Sequence, residues 1–371
     1  MRWTRLSAVL LAVVMCGGRV TAEVQPLTAI VSSDFIHAPA TYPQCHASTL
    51  VETRSGAVVA AWFGGTREGA SDVSIWSSRS EAGRWSAETK VADGVETGAA
   101  RYPCWNPVLF QPRHGPLLLF FKVGPSPSTW WGMVATSTDD GRTWSKPRRL
   151  PDGVLGPIKN KPIELPDGTL LSGSSTEDEK LGWRVHIERS LDSGQSWQRS
   201  AALETSESLN AIQPALLTHA DGRIQLLCRT KERVIATSWS SDAGRTWSPL
   251  TKSGLFSPNS GLDAVTLADG RHLLVYNHRE NANDGPPVPK SGTLVQSPAD
   301  NIDRLKARWP LNVAVSSDGV TWKMVLVLED VPRKEGYAYP AVIQTHDGLI
   351  HISYTWDRVK IKHVVLNPQA L

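Results

Sequence analysis

Helical periodicity, charge imbalance and cysteine are all scarce in this 371-residue sequence. No stretch repeats its apolar residues at helical spacing for long enough to build a bundle or a helical repeat array. A net charge of +3 is too small by itself to suggest a nucleic-acid partner. The four cysteines show no metal-ligand spacing, and no motif marks a nucleotide cofactor, so neither a resident metal nor a cofactor is expected. The longest apolar run near the start, Leu6–Met15, falls well short of the roughly 20 residues that span a bilayer. With Arg2 and Arg5 before it and Val20-Thr21-Ala22 after it, residues 1–22 read as a secretory signal. That leaves 23–371 as one domain, secreted or periplasmic, with no membrane attachment after cleavage. Cys16 raises a lipoprotein variant, which the bulky Met15 before it disfavours. The remaining Cys45, Cys104 and Cys228 are odd in number and read as buried free thiols.

What the chain has instead is a repeated hairpin. In Ile212–Arg229 an apolar run, Asp221-Gly222 and an alternating run read as two strands around a two-residue turn with positive φ at both positions. The unit occurs six times, with turn glycines Gly56, Gly115, Gly168, Gly222, Gly270 and Gly348. Spacings of 48 to 78 residues suit four-stranded blades. The prediction is an all-β fold, a six-bladed β-propeller. Two segments exceed the repeat, 278–310 and 64–72, and long excursions on a rigid scaffold tend to carry function.

A second motif interleaves with the first. Ser137-Thr-Asp139-Asp-Gly141-Arg-Thr143-Trp144 recurs at Ser190–Trp197 and Ser240–Trp247. A shortened copy ends at Thr321-Trp322, and a degenerate one surrounds Gly83 and Trp85. Asp, Gly and Ser/Thr supply side-chain-to-backbone bonds and positive φ for a tight turn, and the Trp plugs it against the blade. Regular repetition of these loops points to structure rather than to ligand binding.

Counting outward from the turns locates the functional face. Residues nine before each turn glycine and seven after it lie at the open ends of the hairpins, which a propeller gathers at one mouth. These positions and their neighbours supply His46, Asn106, Lys122, Lys159, Lys161, Gln213, Arg229, Asn277 and Tyr339. Several cations and a phenol at one mouth suit an anionic, hydroxyl-rich ligand.

These residues resemble the sialidase superfamily, whose Trp-ended loops are called Asp-boxes, over roughly residues 42–366. The resemblance implies three arginines on a substrate carboxylate, a Tyr nucleophile activated by a Glu, and an acid/base Asp. Tyr339, before a strand and the Asp347-Gly348 turn, corresponds to the nucleophile. Arg229, sixteen residues after position 213, corresponds to the second arginine. Arg308, eight before Ser316, corresponds to the third, and Asp72, in the loop after the first hairpin, to the acid/base. Two positions depart from the pattern. Gln213 stands where the family has Glu, and Cys45-His46-Ala47 where its first arginine would be. A Gln cannot take a proton, and a phenol needs a base to attack at neutral pH. Trp62–Glu68, Cys104–Pro107, Leu155–Pro162 and Asn259–Asp263 are similar to a divergent sialidase-like branch. Glu68 or Asp263 is expected to supply the missing carboxylate, with Asp72 or Glu68 as acid and Tyr339, His46 or Asp263 as nucleophile or base. The activity so implied is an exo-glycoside hydrolase acting on an acidic terminal sugar of a glycan, sialic acid or uronate-linked. A uronate lyase, with His46 and Tyr339 as base and acid, and a non-catalytic glycan-binding propeller are the alternatives. The oligomeric state is open.

Overall fold

The computed structural model describes residues 29–36, 40–96, 100–279 and 307–371. The stretch 1–22 expected to be an export signal and most of the 278–310 excursion lie outside them. Within them the strands form six antiparallel sheets, the six blades of a β-propeller. The innermost strands are Gln44–Glu52, Cys104–Phe110, Ile163–Glu164, Ala211–Thr218, Asp263–Thr266 and Tyr337–Gln344. The fourth blade shows the pattern: Ala211–Thr218, Ile224–Thr230, Val234–Ser240 and Thr251–Phe256, each paired with the next. The ring closes in the sixth blade, whose outermost strand is Ile30–Phe35 from the other end of the sequence, paired with Lys360–Leu366.

Each blade is covered on both faces by its neighbours, so its second strand is largely buried rather than alternating between core and solvent. Val58–Gly65 and Leu117–Val123 are buried along their whole length. Cys45, Cys104 and Cys228 are buried free thiols inside these packed layers.

The hairpin turns differ from the two-residue form expected. His219 N–H donates to Arg223 O and Gly222 N–H to His219 O, and Gly222 (φ 83°) has positive φ whereas Asp221 does not. This is a type I turn followed by a left-handed glycine. The same pair of bonds recurs at Gly56, Gly168, Gly270 and Gly348. Asp221 serves by accepting from the Arg223 N–H at 3.0 Å, which needs no positive φ.

The Asp-boxes join third strands to fourth and also staple blades together. In the box of the fourth blade Asp242 accepts from Ser240 Oγ (2.8 Å) and from the amide and hydroxyl of Thr246 (2.9 and 2.6 Å). Trp247 Nε1 donates back to Gly244 O at 3.2 Å. The preceding blade then latches the loop, Arg189 Nη1 donating to Ala243 O at 2.6 Å. Arg79 does the same to Asp140 O, Arg148 to Gly194 O, and Gln225 to Gly319 O.

Hydrogen bonds, led by those from Thr143 and Thr246 and by the Thr321 amide, hold Asp139, Asp242 and Asp318 down to about 2. A carboxylate whose folded value is depressed stabilises the fold above its unfolded value and loses that contribution as pH falls toward the folded one. Stability is therefore expected to drop between roughly pH 4 and pH 2. Asp242→Asn should flatten that drop in acid-unfolding curves, and an unchanged slope would remove the box from the account.

Candidate functional site

Four innermost strands break register where they reach the axis: between His46 and Thr49, Trp105 and Val108, Ile212 and Ala215, and Ala338 and Ala341. The residue in each bulge has left-handed φ: Ala47 (55°), Asn106 (38°), Gln213 (59°) and Tyr339 (53°). These are the positions nine before the turn glycines. In three of them the next residue is Pro107, Pro214 or Pro340. Proline brings no N–H to the ladder, so the bulge leaves no donor orphaned there. The bulge places Gln213 and Tyr339 where their side chains meet.

Tyr339 is the centre of the cluster. Its hydroxyl oxygen accepts from Arg229 Nη1 at 2.8 Å and from Gln213 Nε2 at 3.2 Å. Arg229 Nη1 also donates to Gln213 Oε1 at 3.3 Å, and its Nε to Asn259 Oδ1 at 2.9 Å. The Arg308 guanidinium stands 5.7 Å from the Tyr339 ring centre, Lys159 Nζ 5.9 Å, and the His46 ring 4.3 Å. Gly261 lies under the ring, where a Cβ would come within 3.1 Å of it.

The electrostatics follow from burial among cations. Burial, then Arg358, Arg308, Arg229 and Lys159, push His46 well below its usual range, so it is a neutral imidazole. Its Nδ1 is 2.9 Å from Thr355 Oγ1, while Nε2 has no partner among the described residues. Burial lowers Lys159 to about 7, with Asp263 opposing. Arg308 is lowered by burial, with Tyr339 opposing.

The remaining expected residues divide between rim and framework. Asp72 is at the rim, its Oδ2 accepting from the amide (2.9 Å) and hydroxyl (2.7 Å) of Thr66. Burial raises Asp72, but Thr66 and Arg101 outweigh it and hold the carboxyl below its usual value, so it is ionised. Glu68 pairs with Arg358 at 2.6 Å. Asp263, expected as nucleophile or base, is instead framework. It is buried, pairs with Lys161 at 3.0 Å and accepts the Val342 N–H at 2.8 Å, which pins the strand bearing Tyr339. Lys161 is spent on that pair and on Ala264 O. Lys122, expected on the ligand, is fully buried and donates to Pro157 O, and burial lowers it to about 7. Asn277 is also fully buried, its Nδ2 donating to Pro310 O and Tyr337 O. Asn106 is buried in its bulge beside Trp105. For Lys122, Lys161, Asp263 and Asn277 the cause is shared: their strand ends reach the mouth, but their side chains bond neighbouring backbone.

Counting along the inner hairpins missed Arg358. It lies on a tight turn between Ile350–Trp356 and Lys360–Leu366, with Asp357 and Arg358 both left-handed (φ 51° and 57°). Val359 N–H donates to Trp356 O at 3.1 Å, three residues separate the paired Trp356 and Lys360, and the loop opens toward the mouth. The Arg358 carbonyl accepts from Cys45 N at 2.8 Å, next to His46, and its guanidinium spans Glu68 and Glu335. A third cation thus stands near the place of the missing first arginine. Asn259 and Trp183 were missed as well. Asn259 holds Arg229, which also lies 5.3 Å from the Trp183 ring.

A six-bladed propeller with Asp-boxes and a Tyr–Arg cluster at its mouth defines a sialidase-like architecture. Residues 56–352 match the BNR repeat-like domain family, and the chain belongs to it. A sialidase of Bacteroides fragilis is 26% identical over 259 residues, covering 63% of this chain and 42% of that protein. The chain therefore spans under half the length of that curated relative. A Hadza microbial sialidase superposes with a TM-score of 0.70 at 19% identity, over 89% of this chain and 67% of that one. A protein of unknown function from Dyadobacter fermentans gives 0.72 at 17% identity, over 91% and 98%.

The Arg358 pairs are partly exposed, which limits their worth to about 1 kcal/mol. Arg358→Met is expected to lower thermal stability by about that much at low ionic strength and by less in 0.5 M salt, at roughly a 4 Å Debye length. A loss independent of salt would mean that packing, not charge, holds Arg358.

Proposed function

We propose that the chain is an exported, sialidase-like exo-glycoside hydrolase that acts on an acidic terminal sugar of a glycan, sialic acid or a uronate-linked residue. The observation that carries this reading is the set of three guanidinium groups, Arg229, Arg308 and Arg358, around Tyr339 and His46. Partly buried guanidinium groups facing one space favour a planar carboxylate, which can take paired N–H bonds. Export rests on the reading of residues 1–22.

The local chemistry differs from the Tyr–Glu scheme. Gln213 donates to the phenol instead of accepting from it, so it orients Tyr339 without removing its proton. His46 is the neutral base against Tyr339, with Nε2 available. Burial depresses His46 most and the cations add to it, and a bound carboxylate offsets the second contribution. Asp72, on the rim and desolvated by the sugar, is the group placed to meet the leaving oxygen. The same His46–Tyr339 contact also favours a second reading, elimination from a uronate, which an ultraviolet-absorbing product would reveal.

Tyr339→Phe removes the hydroxyl and keeps the ring. It is expected to cut turnover of an aryl sialoside about a hundredfold or more, with the melting temperature lowered only by the loss of two buried hydrogen bonds. Gln213→Glu exchanges a donor for an acceptor at Tyr339 and should raise turnover of the same substrate. An active Tyr339→Phe enzyme would take Tyr339 out of the mechanism. Release of a neutral sugar in preference to an acidic one would sink the substrate class.

A further inference from the structure

A second cavity opens on the same face of the ring, between the second and third blades. Trp130 precedes the strand Trp131–Ser137, whose first residue pairs with Val123 beside Lys122. Glu177 lies at the end of Leu170–Asp178 away from the Gly168 turn. Both therefore stand at the mouth level, outward from the axis. The cavity between them holds about 240 Å³ and is lined by Trp130, Trp131, Arg149, Asp152, Glu177 and Arg199 among others. That is below the roughly 300–1,000 Å³ of drug-sized pockets, room for one sugar ring rather than an oligosaccharide.

Two features connect the cavity to the centre. Glu177 pairs across its hairpin with Trp183, whose ring lies 5.3 Å from the Arg229 guanidinium. Trp130 packs on Trp105 (5.9 Å), Trp105 on Phe63 (6.3 Å), and Phe63 on His46 (5.6 Å). The cavity therefore adjoins the centre through Trp183 on one side and through buried aromatic packing on the other.

The charges of the two places differ in kind. The centre is lined by guanidinium and ammonium groups. In the cavity Arg149 is neutralised by Asp152 at 3.5 Å and stacks on Trp131 at 4.9 Å, and Arg199 is tied to Gly153 O at 3.1 Å. Glu177 makes no hydrogen bond among the described residues, and burial raises its carboxyl despite Arg229 and Lys231 nearby. A half-buried acceptor without donors, beside indole rings and balanced charge, suits hydroxyls on a neutral ring with an apolar carbon face.

We propose that this cavity is the subsite for the sugar on the leaving side of the scissile bond, a neutral hexose whose hydroxyls donate to Glu177 and whose carbon face lies against Trp130 and Trp131. It rests on the reading of the centre as the site of an acidic sugar, and it fixes which way the glycan runs.

The test compares wild type with Glu177→Ala on sialyl-lactose and on an aryl sialoside, whose leaving group has no hydroxyls to offer. The ratio of kcat/KM for the two substrates should fall about tenfold in the variant, the size of one hydrogen bond to a charged group. Independently, millimolar lactose should shift the indole N–H resonances of Trp130 or Trp131 in wild type and not in Glu177→Ala, with Trp130→Phe assigning the signal. An unchanged ratio, or indoles that ignore lactose, overturns the subsite. If wild type cleaves neither substrate, the hydrolase reading fails on its own and the lactose titration alone decides the subsite.

Discussion

The left-handed bulge in the innermost strands is the constraint on which the mouth depends. Ala47, Asn106, Gln213 and Tyr339 each take a conformation that costs an ordinary residue roughly 1–2 kcal/mol, and each does so where its strand meets the axis. A regular strand would send alternate side chains between blades, into apolar layers. The bulge breaks that alternation and frees Tyr339 and Gln213 to meet across the ring. The packed blades and their Asp-box latches make this arrangement affordable, because a ring stapled blade to blade has little freedom to relax it.

Around that phenol the chain concentrates positive charge, and among the described residues no carboxylate bonds the hydroxyl. Arg229 is held by Asn259, Arg358 by Glu68 and Glu335, and Lys159 by backbone carbonyls of two other blades. Each of these cations is fixed in place by its hydrogen-bond or ion-pair partners. A neutral imidazole survives there because adding another proton to such a cluster is costly. Gln213 at the phenol and the Arg358 guanidinium near His46 act in the same direction: both keep the centre poor in negative charge.

Much of this was legible in the sequence. The turn glycines and the Asp-box spacing gave six blades, because both are local signals that survive any loop length. Counting from the glycines also found Gln213, Arg229 and Tyr339, since a strand's rise is constant. What counting could not supply was the direction of a side chain. Lys122, Asn277 and Asp263 reach the right level of the ring, yet their polar atoms face neighbouring backbone, which is decided by three-dimensional packing. Arg358 escaped for a different reason: it belongs to the outer hairpin of its blade, and only the turn folds it inward. The turn type was misjudged at Asp221 because Asp-Gly serves a two-residue hairpin and a type I turn with a left-handed glycine alike.

The closing strand of the sixth blade joins two distant parts of the sequence on one side of the ring. Ile30 pairs with Leu366 beside Ile350, at the hairpin-turn level, and Asn367 N–H donates to Ala29 O at 2.9 Å. Ala29 and Asn367 therefore lie side by side on the face opposite Tyr339. The seam that closes the ring and the cationic mouth thus occupy opposite faces, and a ligand entering the mouth does not touch the closure.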